Sequence, residues 1–169
     1  MPLAHSPAPA LADALRAAFR VHAAGVAVLT ARGPGGPVGM TASSVASVGT
    51  DPPALSFSAA GDSRFAAALR DGAPVVVHLL DTADTALAAS FAAPGADRFA
   101  DVRWAELPGG TPWLPEVGTA LRCAVLSVTT VGASVLVAAQ VAEVLGLRRR
   151  GAPLVWADRA FRTVADLPG

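Results

Sequence analysis

Two long β-rich runs, Thr119 to Val131 and Val135 to Leu147, flank the turn residues Gly132-Ala133. No other feature of this sequence limits its fold so firmly, because strands joined by a hairpin-length turn pair antiparallel. Shorter runs of the same kind come earlier. Val26 to Arg32 is β-rich and closed by Gly33-Pro34-Gly35-Gly36-Pro37, a strong turn signal. Val38 to Val48 is extended, small and hydroxyl-rich, and Asp51-Pro52-Pro53 ends it. Ala54 to Ala59 and Pro74 to Leu80 follow as strands, and Pro153 to Val164 supplies one or two more. About six strands, mostly joined by tight turns, predict a mainly β fold: a closed or nearly closed antiparallel barrel with short helices packed outside.

Leu11, Leu15, Phe19 and His22 recur at spacings that mark one face of a helix. Asp62 is placed to cap a second, short helix running to about Arg70, with Gly72 as its stop, and Ala83 to Phe91 reads as a third. Residues 1–10 hold three prolines among alanines and read as a flexible arm, leaving 11–169 as one domain. The stretch from Ala93 to Gly118 is rich in Pro and Gly around Trp104 and Trp113, and loops of that length are usually functional. A chain of 169 residues buries roughly 70% of its unfolded surface and needs no disulfide or metal staple.

Composition narrows the chemistry. Thirteen Arg and no Lys balance thirteen acidic residues, which argues against nucleic acid as a partner. Arg148-Arg149-Arg150, the one basic run, reads as a solvated turn. Mean hydropathy is +0.49, but runs such as Val135 to Ala139 fall far short of the ~20 residues of a bilayer span, so no membrane partner is expected. The N-terminus shows no secretory pattern, and a cytoplasmic protein is the expectation. The single Cys123 excludes an internal disulfide and a thiolate metal cluster, and reads as a small buried hydrophobe. His5, His22 and His78 are scattered without metal-like spacing, so no metal site is expected. His78, inside an apolar run, reads as a hydrogen-bonded core or rim residue. There is no G-x-G-x-x-G, no Walker lysine and no G-x-S-x-G elbow. Such a chain borrows its chemistry from a cofactor, or performs none.

The informative stretch is Gly39 to Pro53, which packs Thr41, Ser43, Ser44 and Ser47 between apolar residues. Hydroxyls and strand-edge amides suit the polar rim of a heterocycle, and small residues let a flat ring approach the backbone. A plain strand with a solvent-facing hydroxyl edge would have the same composition.

From Gly25 to Leu80 the chain resembles the flavin reductase-like family of FMN-binding split barrels. The pieces that carry the resemblance are Gly25-Val26-Ala27-Val28-Leu29-Thr30, Gly39 to Val48, Asp51-Pro52-Pro53 and Pro74 to Leu80. Phe91-Ala92, Asp97-Arg98-Phe99, Trp104, Leu121-Arg122-Cys123 and Pro153-Leu154-Val155-Trp156 extend it to about residues 11–164. The resemblance implies an antiparallel Greek-key split barrel. It places Thr41, Ala42, Ser43, Ser44 and Ser47 along the isoalloxazine ring, and the turn from Ser58-Ala59 to Ser63-Arg64 near the ribityl chain and phosphate. Phe91, Arg98 and Phe99 would lie near the flavin's other side. Many members carry Gly-Asp-His at the turn between the long late strands, with the histidine facing the nicotinamide. Here Gly132-Ala133-Ser134 stands instead, leaving Ser134 at the histidine position and no assigned catalytic residue.

The implied activity is an NAD(P)H:flavin oxidoreductase, taking NADH or NADPH as co-substrate. It would reduce FMN or FAD by hydride transfer to N5 and supply a partner monooxygenase, as reductase components of two-component flavin monooxygenases do. The lost Asp-His pair favours a second reading, a flavin-binding protein without nicotinamide turnover. A third keeps the barrel but changes the ligand to a deazaflavin, haem or pyridoxal phosphate, and a fourth is a structural or interaction domain. The family implies a homodimer with the flavin near the interface; the arm and the Ala93 to Gly118 connection are candidates to cross to the partner subunit.

Overall fold

The computed structural model describes residues 8–95 and 97–165. The chain is mainly β. Helix α1 spans Ala8–Val21, and the strands are β1 Ala24–Gly25, β2 Ala27–Gly33, β3 Gly36–Ala42, β4 Ala46–Thr50, β5 Pro53–Ala60 and β6 Pro74–Leu79. Helix α2, Thr85–Ala92, precedes β7 Ala105–Glu106, β8 Pro112–Trp113, β9 Thr119–Val131, β10 Ser134–Leu147, β11 Leu154–Ala157 and β12 Ala160–Thr163. Single 3-10 turns occupy Ala66–Ala68 and Thr82–Asp84.

Seven strands form one antiparallel sheet in the order β3-β2-β6-β9-β10-β5-β4. The sheet is not closed, and the mainly β, antiparallel class is the one expected. Its two edges, β3 and β4, are nevertheless consecutive in the chain and separated only by residues 43–45. So short a link forces the sheet to curl until its edges come together, and the seam of this split barrel is the hydroxyl-rich corner itself. What the sequence presents as one extended run from Val38 to Val48 is therefore two strands and a bend.

Strand β2 sits in the middle of the packing and is covered on both faces. Ala27, Leu29 and Ala31 point into the barrel with Phe57, Val75, Val77 and Val137. Val26 and Val28, on the opposite pleat, join Phe91, Phe99 and Leu114 in a second core beneath α2 and the long connection. This alternation is the two-residue period of a strand expressed in two separate cores. The connection is stitched to its own chain: Thr30 donates to the Pro112 carbonyl at 2.5 Å, and Arg32 pairs with Glu106 at 2.6 Å. β11 and β12 form a hairpin that pairs with β1 beside the seam.

Three other expectations change. α1 begins at Ala8, inside the stretch read as an arm; residues 1–7 lie outside the described residues. The helix expected from Asp62 is only the turn Ala66–Ala68: the Ser63 hydroxyl, not Asp62, accepts the Ala66 amide at 3.0 Å, and the backbone turns extended at Leu69. Arg150 is not merely solvated. Its amide donates to Asp81 at 2.7 Å, and its guanidinium reaches Asp84 at 3.3 Å and the Glu116 carbonyl. Burial pushes the Asp81 carboxyl up, but the amides of Arg150, Ala83 and Gly151 outweigh it and hold that group below its ordinary range. Asp84, buried and beside Asp81, is pushed up by that burial. No helix among the described residues is long and apolar enough to cross a membrane.

Candidate functional site

The seam is built from hydroxyls that serve the backbone and hydroxyls that face outward. Thr41 donates to the Ala88 carbonyl at 2.7 Å and so ties β3 to α2. Ser44 Oγ accepts the Ser58 amide at 3.0 Å and lies 3.3 Å from the Ser58 carbonyl, pinning the corner to β5 just beyond the β4–β5 ladder. Ser43 and Ser47 are exposed, while Ala42 is buried beneath them. Ala59 is buried in the barrel core next to Ser58.

Two clefts flank this edge. The smaller, of about 210 Å³, is lined by Thr41, Ala42 and Ser43 on one side and by Trp156 and Phe161 on the other. The larger, of about 370 Å³, is lined by Pro37 and Val38 of the same strand together with Arg64, Asp97, Arg98 and Phe99. Since strand residues advance about 3.3 Å each, the two clefts take up opposite ends of β3, roughly 10 Å apart.

The larger cleft has the chemistry of an anion site. Ser63 donates to the Ala60 carbonyl at 2.7 Å and caps the following turn, which leaves Arg64 beside it exposed on the cleft wall. Arg98 donates to the Gly39 carbonyl at 2.8 Å and the Ala93 carbonyl at 3.2 Å. Its Nε–H is buried with no partner among the described residues, and an orphaned charged donor is one that a ligand oxygen satisfies. The Asp97 carboxylate in the same wall is turned onto its own loop, where it accepts the Phe99 amide at 3.1 Å. Phe99 packs edge-on against Phe91 at 5.2 Å and Trp104 at 5.6 Å. Phe91 is fully enclosed and supports the site from below without lining the larger cleft.

Of the residues singled out in the sequence, Thr41, Ala42 and Ser43 thus meet in one cleft, and Arg64, Arg98 and Phe99 in the other. Ser44 and Ser58 line neither cleft and are bonded to each other at the corner. Ser134, opposite Ala60 at the tip of the β9–β10 hairpin, lines neither cleft; its neighbour Ala133 accepts the Gly61 amide at 2.8 Å. Trp156 and Phe161 were not legible as site residues, because only the β11–β12 hairpin brings them across from Ser43. The two reactive-looking groups elsewhere are quiet. His78 is held between the Val28 carbonyl and the Leu114 amide, each at 3.0 Å, and burial pushes its pKa down to about 4. Burial pushes the Cys123 thiol up to about 12.

A split barrel whose seam carries a hydroxyl corner and an arginine-lined cleft is the architecture of a flavin-binding β protein. Residues 19–165 match the flavin reductase like domain, and the chain belongs to that family. It is 41% identical over 130 residues to an NADH:FMN oxidoreductase of Rhodococcus qingshengii, covering 76% of this chain and 68% of that one. A flavin reductase domain protein from Arthrobacter sp. FB24 superimposes with a TM-score of 0.86 at 30% identity, covering 94% of this chain and 98% of its own. The styrene monooxygenase flavin reductase of Pseudomonas putida S12 does so with a TM-score of 0.77 at 26% identity, covering 91% and 98%.

Proposed function

We propose that this chain is an NADH-dependent flavin reductase that takes FMN, or FAD in its place, and passes the reduced flavin to a partner monooxygenase. The observation that carries the reading is that the family match runs unbroken through both clefts and the seam between them. The residues fit the cofactor: hydroxyls and a buried alanine at one end, two arginines with an unsatisfied donor at the other. A bound flavin supplies the hydride acceptor. What the chain contributes is orientation. Thr41 and Ser44, already bonded to backbone, hold the corner rigid, so Ser43 and the strand edge meet the ring without reorganising. Arg64 and Arg98 take the phosphate charge.

Two further parts of the proposal rest on exposure and chemistry. Leu11, Leu15 and Phe19 of α1 are 63%, 58% and 65% exposed, and an apolar helix face of that kind marks an interaction surface. A homodimer covers it. A cytoplasmic location is where NADH is at hand. The reading of a flavin-binding protein without nicotinamide turnover is favoured by one feature, the place of Ser134, which offers no imidazole and lines neither cleft.

Titrating the protein into FMN and into riboflavin, and following flavin fluorescence, tests the phosphate end. Arg64→Ala should weaken FMN about tenfold or more, the scale of a charge-assisted hydrogen bond, and leave riboflavin within about twofold. Equal losses for both would remove Arg64 from the site.

A further inference from the structure

The smaller cleft has a wall that the flavin reading does not yet use. Across from Thr41, Ala42 and Ser43 stand Trp156 of β11 and Phe161 of β12. Their rings meet edge to face at 5.0 Å, yet the Trp156 residue remains 37% exposed. The hairpin that presents it is held firmly. Arg20 donates to the Asp158 carboxylate at 2.6 Å, and the Asp158 amide donates back to the Arg20 carbonyl at 2.6 Å. Asp158 also pairs with Arg162 at 3.8 Å, and Ala24 of β1 lies opposite Trp156. The turn places two non-glycine residues, Asp158 and Arg159, at φ 49° and 59°, a left-handed backbone that L side chains rarely adopt. A short hairpin kept in that conformation, with a half-open indole facing hydroxyls, is a rigid aromatic surface.

We infer that Trp156, backed by Phe161, is the aromatic wall against which the planar ring of the flavin rests. The inference rests on the flavin reading above and deepens it. An isoalloxazine has a polar pyrimidine edge and an apolar dimethylbenzene edge. The cleft offers a matching pair of surfaces, with Ser43 and the strand edge for the first and the indole and phenyl rings for the second. Aromatic contact of this kind adds to binding beyond burial, and an indole held in place loses little freedom on binding. The same wall keeps water from one side of the ring. The ring end and the phosphate end of the site then correspond to the two ends of β3.

Lumichrome, the dimethylalloxazine nucleus left when a flavin loses its ribityl chain and phosphate, isolates this contact. Trp156→Leu keeps an apolar side chain in the hairpin and should weaken lumichrome, riboflavin and FMN alike, by about three- to tenfold. Trp156→Phe should restore most of the loss. A second measurement needs no loss-of-ring variant: the indole N–H signal of Trp156 in the wild-type spectrum, assigned by its disappearance in Trp156→Phe, should move when lumichrome is added. Unchanged lumichrome binding in the Leu variant, or an indole signal that ignores lumichrome, overturns the inference and leaves the flavin site standing. A signal that moves with nicotinamide mononucleotide and not with lumichrome also overturns it, assigning the wall to the other ring. If the wild type binds neither FMN nor lumichrome, the flavin reading itself fails, and this inference with it.

Discussion

His78 is the side chain whose environment makes the sharpest statement about stability. Its Nδ1–H donates to the Val28 carbonyl while Nε2 accepts the Leu114 amide, so both ring nitrogens are satisfied only in the neutral form. Desolvation dominates the shift to about 4, with the Val28 bond opposing it. A histidine whose folded value lies below its unfolded one binds more protons unfolded, so stability is full above the unfolded pKa and falls as pH drops toward the folded one. Urea unfolding should therefore show a loss of about 2 kcal/mol between about pH 7 and about pH 5 from this group alone. A His78→Gln variant should be less stable at neutral pH and have a flatter profile over that window. An unchanged slope would show that His78 takes no part. The apolar run around His78 made its burial legible from sequence. Its partner Leu114 was not, since the two residues are brought together only by the fold of the long connection.

At the scale of elements, β3 and α2 are the pair that shapes the site. They touch where Gly39 leaves room: a Cβ there would lie 2.6 Å from the Phe91 ring and 3.0 Å from the Leu29 carbonyl. Gly39→Ala should thus push α2 off the strand and destabilise the chain by about 1 to 3 kcal/mol. Phe91→Leu in the same chain should recover part of that, so a cycle of the two changes measured by urea unfolding should be non-additive. Additive losses would mean that the helix does not pack as described. The strands themselves were readable, since turn residues punctuate them and Val75, Val76 and Val77 advertise a strand covered on both faces. Two kinds of element were not. The two-residue ladder of β7 with β8 is too short to carry a period, and the bend at residues 43–45 has neither Gly nor Pro to announce it. The helix expected after Asp62 is cut to a single turn because the backbone becomes extended at Leu69, φ -87° and ψ 125°.

For the molecule as a whole, the site follows from topology. A sheet whose first and last strands are joined by residues 43–45 must bring its edges together there, and the join lies at the aromatic-cleft end of β3, with the arginine cleft at the other end. The hydroxyl-rich segment was visible in sequence, but the second wall, Trp156 and Phe161, comes from the far end of the chain and only the folded hairpin supplies it. The exposed face of α1 belongs to the same scale. Light scattering on a sizing column should give twice the chain mass, and Phe19→Glu should shift it toward the monomer; a wild-type monomer at tens of micromolar would contradict the dimer. The central claim is the reductase activity. It is tested most directly by following the loss of NADH absorbance under air, with and without added FMN. The account predicts oxidation that depends on both protein and flavin, well above the rate with flavin alone. Quenching of FMN fluorescence by the protein without any protein-dependent NADH oxidation would contradict it, leaving a flavin-binding protein in place of an enzyme.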